Sequence, residues 1–86
     1  MRHSKVMIKS AVGLHARPAA NLVREATRHE CSIELEYEGK KASAKSIMQV
    51  LALGAKSGTE ITVYTDGPGE VEALRTIVEM IATMDM

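Results

Sequence analysis

Aromatic residues are nearly missing from this sequence: it has no Phe and no Trp, and Tyr37 and Tyr64 are the only tyrosines. A protein that binds single-stranded nucleic acid stacks bases on aromatic side chains, so that class loses its platform. A surplus of charge is missing too. Eleven Lys and Arg balance eleven Asp and Glu, which removes the electrostatic case for nucleic-acid binding or a membrane-seeking surface. Cys31 is the single cysteine, so no internal disulfide can form and a reducing compartment fits. No apolar run approaches a membrane span, and Met1 to Lys5 lacks the apolar stretch of a signal peptide. His3 and His29 have no Cys or acidic partner at ligand spacing, which speaks against a metal site. The expectation is one soluble cytoplasmic domain over residues 1–86, with no cofactor and a core of Val, Ile, Leu, Met and Ala.

What is present falls into alternating and helical segments. Lys5 to Lys9 alternates, with Val6 and Ile8 on one side, and predicts a first strand. The spacing of Ala19, Leu22, Val23 and Ala26 predicts a helix from about Ala16 to Thr27 or Arg28, with Arg17, Ala20, Asn21 and Arg24 on its other side. Cys31 to Tyr37 is the clearest strand: Cys31, Ile33, Leu35 and Tyr37 share one face, and Ser32, Glu34 and Glu36 the other. Glu38-Gly39-Lys40 turns the chain into a short strand over Lys41 to Ser43. Ile61, Val63 and Thr65 alternate in a fourth strand, and Asp66-Gly67-Pro68-Gly69 ends it. Leu74, Ile77, Val78 and Ile81 then predict a helix from about Glu70 to Ala82. The order is βαββαβα, an α+β domain with helices on one face of an antiparallel sheet.

The chain is organised around Gly13-Leu14-His15-Ala16-Arg17-Pro18-Ala19. Pro18 suits a first helical turn, where its missing N–H breaks no bond. A helix starting just after His15 aims the free amides of Ala16 and Arg17 back at the imidazole, and a helix start favours anions, phosphate above all. Arg17 adds a planar cation suited to phosphate oxygens. A nucleophilic nitrogen beside a phosphate cradle reads as a histidine built to carry a phosphoryl group.

The segment from Ser46 to Leu53 departs from the single apolar stripe. Ser46 is a natural N-cap. Val50 and Leu53 form one apolar face, and Ile47, Met48 and Leu51 form a second. A second face on a short outer helix predicts a docking surface, to which Met lends adaptability. Ala20 and Arg24 on the first helix are expected to border it.

The heptapeptide around His15 resembles the active-site segment of the histidine-containing phosphocarrier (HPr) family of the phosphoenolpyruvate:sugar phosphotransferase system. Lys45-Ser46-Ile47-Met48, followed by Val50, Leu51, Leu53 and Gly54, resembles the family's second signature. Glu34-Leu35-Glu36-Tyr37, Gly39-Lys40 and Gly58-Thr59-Glu60-Ile61 extend the likeness over essentially the whole chain. The resemblance implies an open-faced β-sandwich, a four-stranded antiparallel sheet in the order 1-4-2-3 with three helices. It implies that His15 accepts phosphate on Nδ1 from enzyme I and passes it to a sugar-specific enzyme IIA, with no turnover by the protein alone. Ala16, Arg17 and Pro18 then complete the phosphoryl site, and Ala20, Arg24, Ile47, Met48 and Leu51 meet partners. In members from low-GC Gram-positive bacteria the serine matching Ser46 is phosphorylated by an ATP-dependent kinase, and that form binds a catabolite-control repressor. Gln49 stands where many of those members have glycine. A regulatory adaptor acting through phosphorylation-dependent binding, or a carrier of the nitrogen-related branch, is the alternative reading. The protein is expected to act as a monomer.

Overall fold

Four strands line up as one sheet. The computed structural model describes residues 1–9, 13–14 and 16–83. Along it run β1 (Arg2–Met7), α1 (Ala16–Ala26), β2 (Ser32–Tyr37), β3 (Lys40–Ser43), α2 (Ile47–Ala52), β4 (Glu60–Asp66) and α3 (Glu70–Thr83). The sheet order is β1-β4-β2-β3, and every neighbouring pair is antiparallel. This is the βαββαβα, open-faced architecture that the residue pattern and the resemblance both point to.

The register explains the core. Val6 lies opposite Ile61, and Leu35 is paired with Val63 on one side and Ala42 on the other. Paired residues share a face of the pleat, so these side chains meet the helices together. Leu22 of α1 and Ile77 and Ile81 of α3 are fully buried against them, with Ala19, Ala26 and Ala73 filling the closer approaches. Leu74 and Val78, expected on the same stripe as Ile77, lie partly exposed beside it, and Ala73 takes the innermost place.

Most element boundaries shift by a few residues, each for a local reason. β1 begins at Arg2, because its pairing with β4 runs from Arg2↔Thr65 to Met7↔Glu60. Ile8 follows in the same line: its N–H donates to the Thr59 carbonyl and its carbonyl accepts from Gly58, both at 2.8 Å. α1 ends at Ala26 because its continuation tightens, with Arg28 donating to Glu25 at 3.1 Å and His29 to Ala26 at 3.2 Å. His29 does find an acidic partner, contrary to the spacing argument. Its Nε2 lies 3.0 Å from Glu25 Oε2, one helical turn earlier.

The open face of the sheet is polar. Tyr64 donates to Glu36 Oε1 at 2.7 Å, the Lys41 ammonium lies 5.0 Å from its ring centre, and the His3 ring is 5.7 Å away. The bond to Glu36 holds the phenol's pKa above its ordinary value.

α3 starts on a carboxylate latch. Glu70 Oε1 accepts from the Gly67 N–H at 3.0 Å, while Oε2 lies 3.4 Å from the Met1 ammonium and 3.7 Å from Arg2 Nε. Its carboxyl is held below the ordinary glutamate value, chiefly by the Gly67 hydrogen bond, with the Met1 ammonium and Arg2 adding to it against some desolvation. A carboxyl that titrates lower when folded stabilises the fold fully above its unfolded pKa, and that contribution disappears as pH falls through the folded value. Glu70→Gln is therefore expected to lower the melting temperature at neutral pH and to shrink the gap from wild type as pH drops below the glutamate range. Thermal melts across an acid series check this. A constant gap would assign the loss to packing.

Candidate phosphoryl-transfer site

Four described pieces of chain meet around the motif: Gly13 and Leu14, the start of α1, α2, and the loop from α2 to β4. Gly13 is the tightest contact. Its φ is +70°, and a Cβ placed there would lie 2.6 Å from the Ala55 carbonyl oxygen and 3.0 Å from Lys56 Cα. The next residue, Leu14, donates its N–H to that Ala55 carbonyl at 3.1 Å and buries its side chain in the core. The chain entering the motif is thereby pinned to the loop that leaves α2.

His15 lies outside the described residues, but both of its flanks are defined. α1 begins at Ala16, with no acidic residue in its first turn. Ala16 and Arg17 are exposed, while Pro18 and Ala19 are buried. Pro18 thus has a packing role besides setting the helix entry. Arg17 and Arg24 are both exposed and, seven residues apart, fall on one side of α1, with half-buried Ala20 between them. α1 packs against α2.

α2 has the two faces expected of it. Val50 and Leu53 are buried, whereas Ile47 and Leu51 are each 39% exposed and Met48 is 77% exposed. Its six residues are held by a cap at each end. The Ser46 hydroxyl accepts from the Gln49 N–H at 3.4 Å. Gln49 reaches back in turn, and its Oε1 accepts from the Ser43 N–H at 2.8 Å. Lys45 Nζ donates to the His29 carbonyl at 2.6 Å, tying the start of α2 to the turn after α1.

Two features of this region escape the sequence reading. The Ser-x-x-Gln spacing of a capping box is visible in the sequence, but the Gln49 side chain accepts from the Ser43 N–H and leaves the Ser46 N–H to the Ser43 carbonyl. The balanced charge also hides a strong asymmetry. Residues 1–24 and 39–59 contain no Asp or Glu, yet they hold nine of the eleven basic residues, the others being Arg28 and Arg75. The start of α1, all of α2 and the loop after it belong to those two stretches. Counting charge by segment exposes what the net value cancels.

A family model described as the PTS HPr component phosphorylation site matches residues 3–83. The chain belongs to the HPr family. The HPr-like protein Crh of Bacillus subtilis is 42% identical over 81 residues, which cover 94% of this chain and 95% of Crh. An HPr from Thermoanaerobacter tengcongensis superimposes with a TM-score of 0.91 at 38% identity, over 94% of this chain and 91% of that one. The HPr of Bacillus anthracis gives 0.90 at 38%, over 93% and 95%. A crystal structure of Crh, described as a dimer with a swapping domain, gives 0.75 at 44%, over 94% and 93%. HPr proteins are phosphocarriers of the phosphotransferase system, and the open-faced sheet found here is their fold. Among the described residues no helix is long and apolar enough to cross a membrane.

Proposed function

We propose that this HPr-family protein is a phosphocarrier that takes a phosphoryl group on His15 from phosphorylated enzyme I and gives it to a sugar-specific enzyme IIA. The observation that carries the reading is the motif's setting. His15 directly precedes a helix whose first turn is free of carboxylates and exposes Arg17, within a chain matched by the family's phosphorylation-site model. In the forward step a ring nitrogen of His15 forms a bond to phosphorus, and the donor's bond to phosphorus breaks with its electron pair. The same step, with His15 as the leaving group, serves the acceptor. Arg17 offsets the charge on the phosphoryl oxygens, the Ala16 and Arg17 amides face it, and Pro18 fixes the helix entry. Phosphoryl transfer relies mainly on positioning and charge stabilisation, so the protein needs no acid–base pair and turns over nothing alone. Incubation with phosphoenolpyruvate and enzyme I, followed by a search for acid-labile phosphate on His15, tests it.

Ile47, Met48 and Leu51, with Ala20 and Arg24, form the surface that enzyme I and enzyme IIA dock on. Met48→Ala removes an exposed side chain and should leave stability within about 0.5 kcal/mol, while weakening enzyme I binding by roughly 1 kcal/mol or more. Ser46→Asp keeps a good N-cap and still adds a charge beside the apolar face, so it too should bind less well. Titration calorimetry of both variants checks this. Unchanged affinity in both would make α2 a purely structural element.

A second reading is favoured by the likeness to Crh, the catabolite-repression HPr of Bacillus subtilis. In it, Ser46 is the regulated group, phosphorylated by an HPr kinase, and the phosphorylated protein binds a catabolite-control repressor. Gln49 bears on this reading through its side chain, which is held by the Ser43 N–H close to the Ser46 cap, where a kinase would have to dock. The carrier is proposed to act as a monomer in the cytoplasm. Among the described residues β1 has β4 as its one strand partner, an edge position from which a strand could be exchanged between copies, and sedimentation at working concentration separates the two states.

A further inference from the structure

We propose that Lys56 is a specificity-determining cation of the His15 site, one that favours partners presenting a carboxylate beside the histidine they address. The inference rests on the phosphocarrier reading and names a recognition residue within it.

Three observations place Lys56 there. Its backbone interlocks with Gly13, whose missing Cβ leaves 3.0 Å to Lys56 Cα, so Lys56 sits against the chain two residues before His15. That backbone is fixed from the other side as well. The Lys56 carbonyl accepts from the Thr59 hydroxyl at 2.5 Å and from the Thr59 N–H at 3.2 Å. The residue itself is exposed, and its ammonium makes no ion pair with any described carboxylate.

The contrast with Lys45 shows what a structural lysine looks like in this fold. Lys45 is partly buried and spends its ammonium on the His29 carbonyl. Lys56 has a rigid base and a free head, within a stretch from residue 39 to 59 that contains no acidic residue. An unneutralised cation at the rim of a docking face steers and selects partners more than it adds affinity. Arg17 and Arg24 lie on α1, whereas Lys56 lies on the loop after α2, a different piece of chain.

The experiment measures steady-state phosphotransfer from enzyme I to the intact protein, and from it to an enzyme IIA, for wild type, Lys56→Gln and Lys56→Arg at low and high salt. Lys56→Gln should raise KM roughly two- to fivefold in at least one direction at low salt, the range open to an exposed ion pair. The difference should shrink at high salt, Lys56→Arg should restore the wild-type value, and kcat and melting temperature should stay put. Hydrolysis of the phosphohistidine in the isolated protein should also be unchanged. Equal KM for wild type and Lys56→Gln in both directions would overturn the proposal. So would altered hydrolysis with unaltered KM, since the ammonium would then serve the phosphoryl group and not a partner. If wild type itself acquires no phosphate on His15, the phosphocarrier reading is what fails.

Discussion

His15→Ala should abolish acid-labile phosphorylation by enzyme I while leaving the fold in place. Three histidines are present, and the other two are poorly suited to the task. His3 lies on the open sheet face, 5.7 Å from the Tyr64 ring. His29 is half-buried and already engaged by Glu25 at 3.0 Å. Neither precedes a helix start. The residues on either side have anchors of their own: Leu14 is anchored by its amide and its buried side chain, and α1 by Pro18, Ala19 and Leu22. Circular dichroism should therefore match wild type, while radiolabel from phosphoenolpyruvate falls to background. Labelling that persists in the variant would move the acceptor to another residue and remove the basis of the proposed function.

The largest stability effect is expected from Gly13→Ala. Two costs coincide there. A non-glycine residue held at a φ of +70° pays roughly 1–2 kcal/mol, and the new methyl would sit 2.6 Å from a backbone oxygen that has little freedom to retreat. That oxygen, on Ala55, is also the acceptor of the Leu14 amide, so relieving the clash lengthens the bond that positions the motif. Gly39→Ala is the matching control. Gly39 has a φ of +80° and open space around its missing Cβ, so it carries the conformational cost alone. Urea denaturation should show Gly13→Ala the more destabilised of the pair by about 1–3 kcal/mol. Phosphotransfer should fall with it under conditions where both variants remain folded. Equal losses would mean that the loop after α2 yields, and that the interlock does not position His15.

Much of this molecule can be read from the order of its residues, because periodicity is a local property. Alternation in Cys31 to Tyr37 and Ile61 to Thr65 marks strands, the stripe through Leu22 and Ala26 marks α1, and the double face of α2 stands out because Ile47, Met48 and Leu51 do not fit a single stripe. The heptapeptide around His15 announces itself in the same way, as a glycine, a histidine, an arginine and a proline at the entrance to a helix. Boundaries were less legible. Where β1 starts depends on what β4 offers it across the sheet, and no window of sequence contains both strands.

The contacts that assemble the site belong wholly to the tertiary structure. Nothing near Gly13 in sequence says that Ala55 and Lys56 will press against it, since more than forty residues separate them and only the return of the chain through α2 closes the gap. Burial of Pro18 and the Met1 and Arg2 cations beside Glu70 follow from packing in the same way. Charge makes the point most directly. Along the chain eleven positive and eleven negative residues cancel; folding brings two acid-free stretches together at the motif, and electrostatic recognition responds to distances in space.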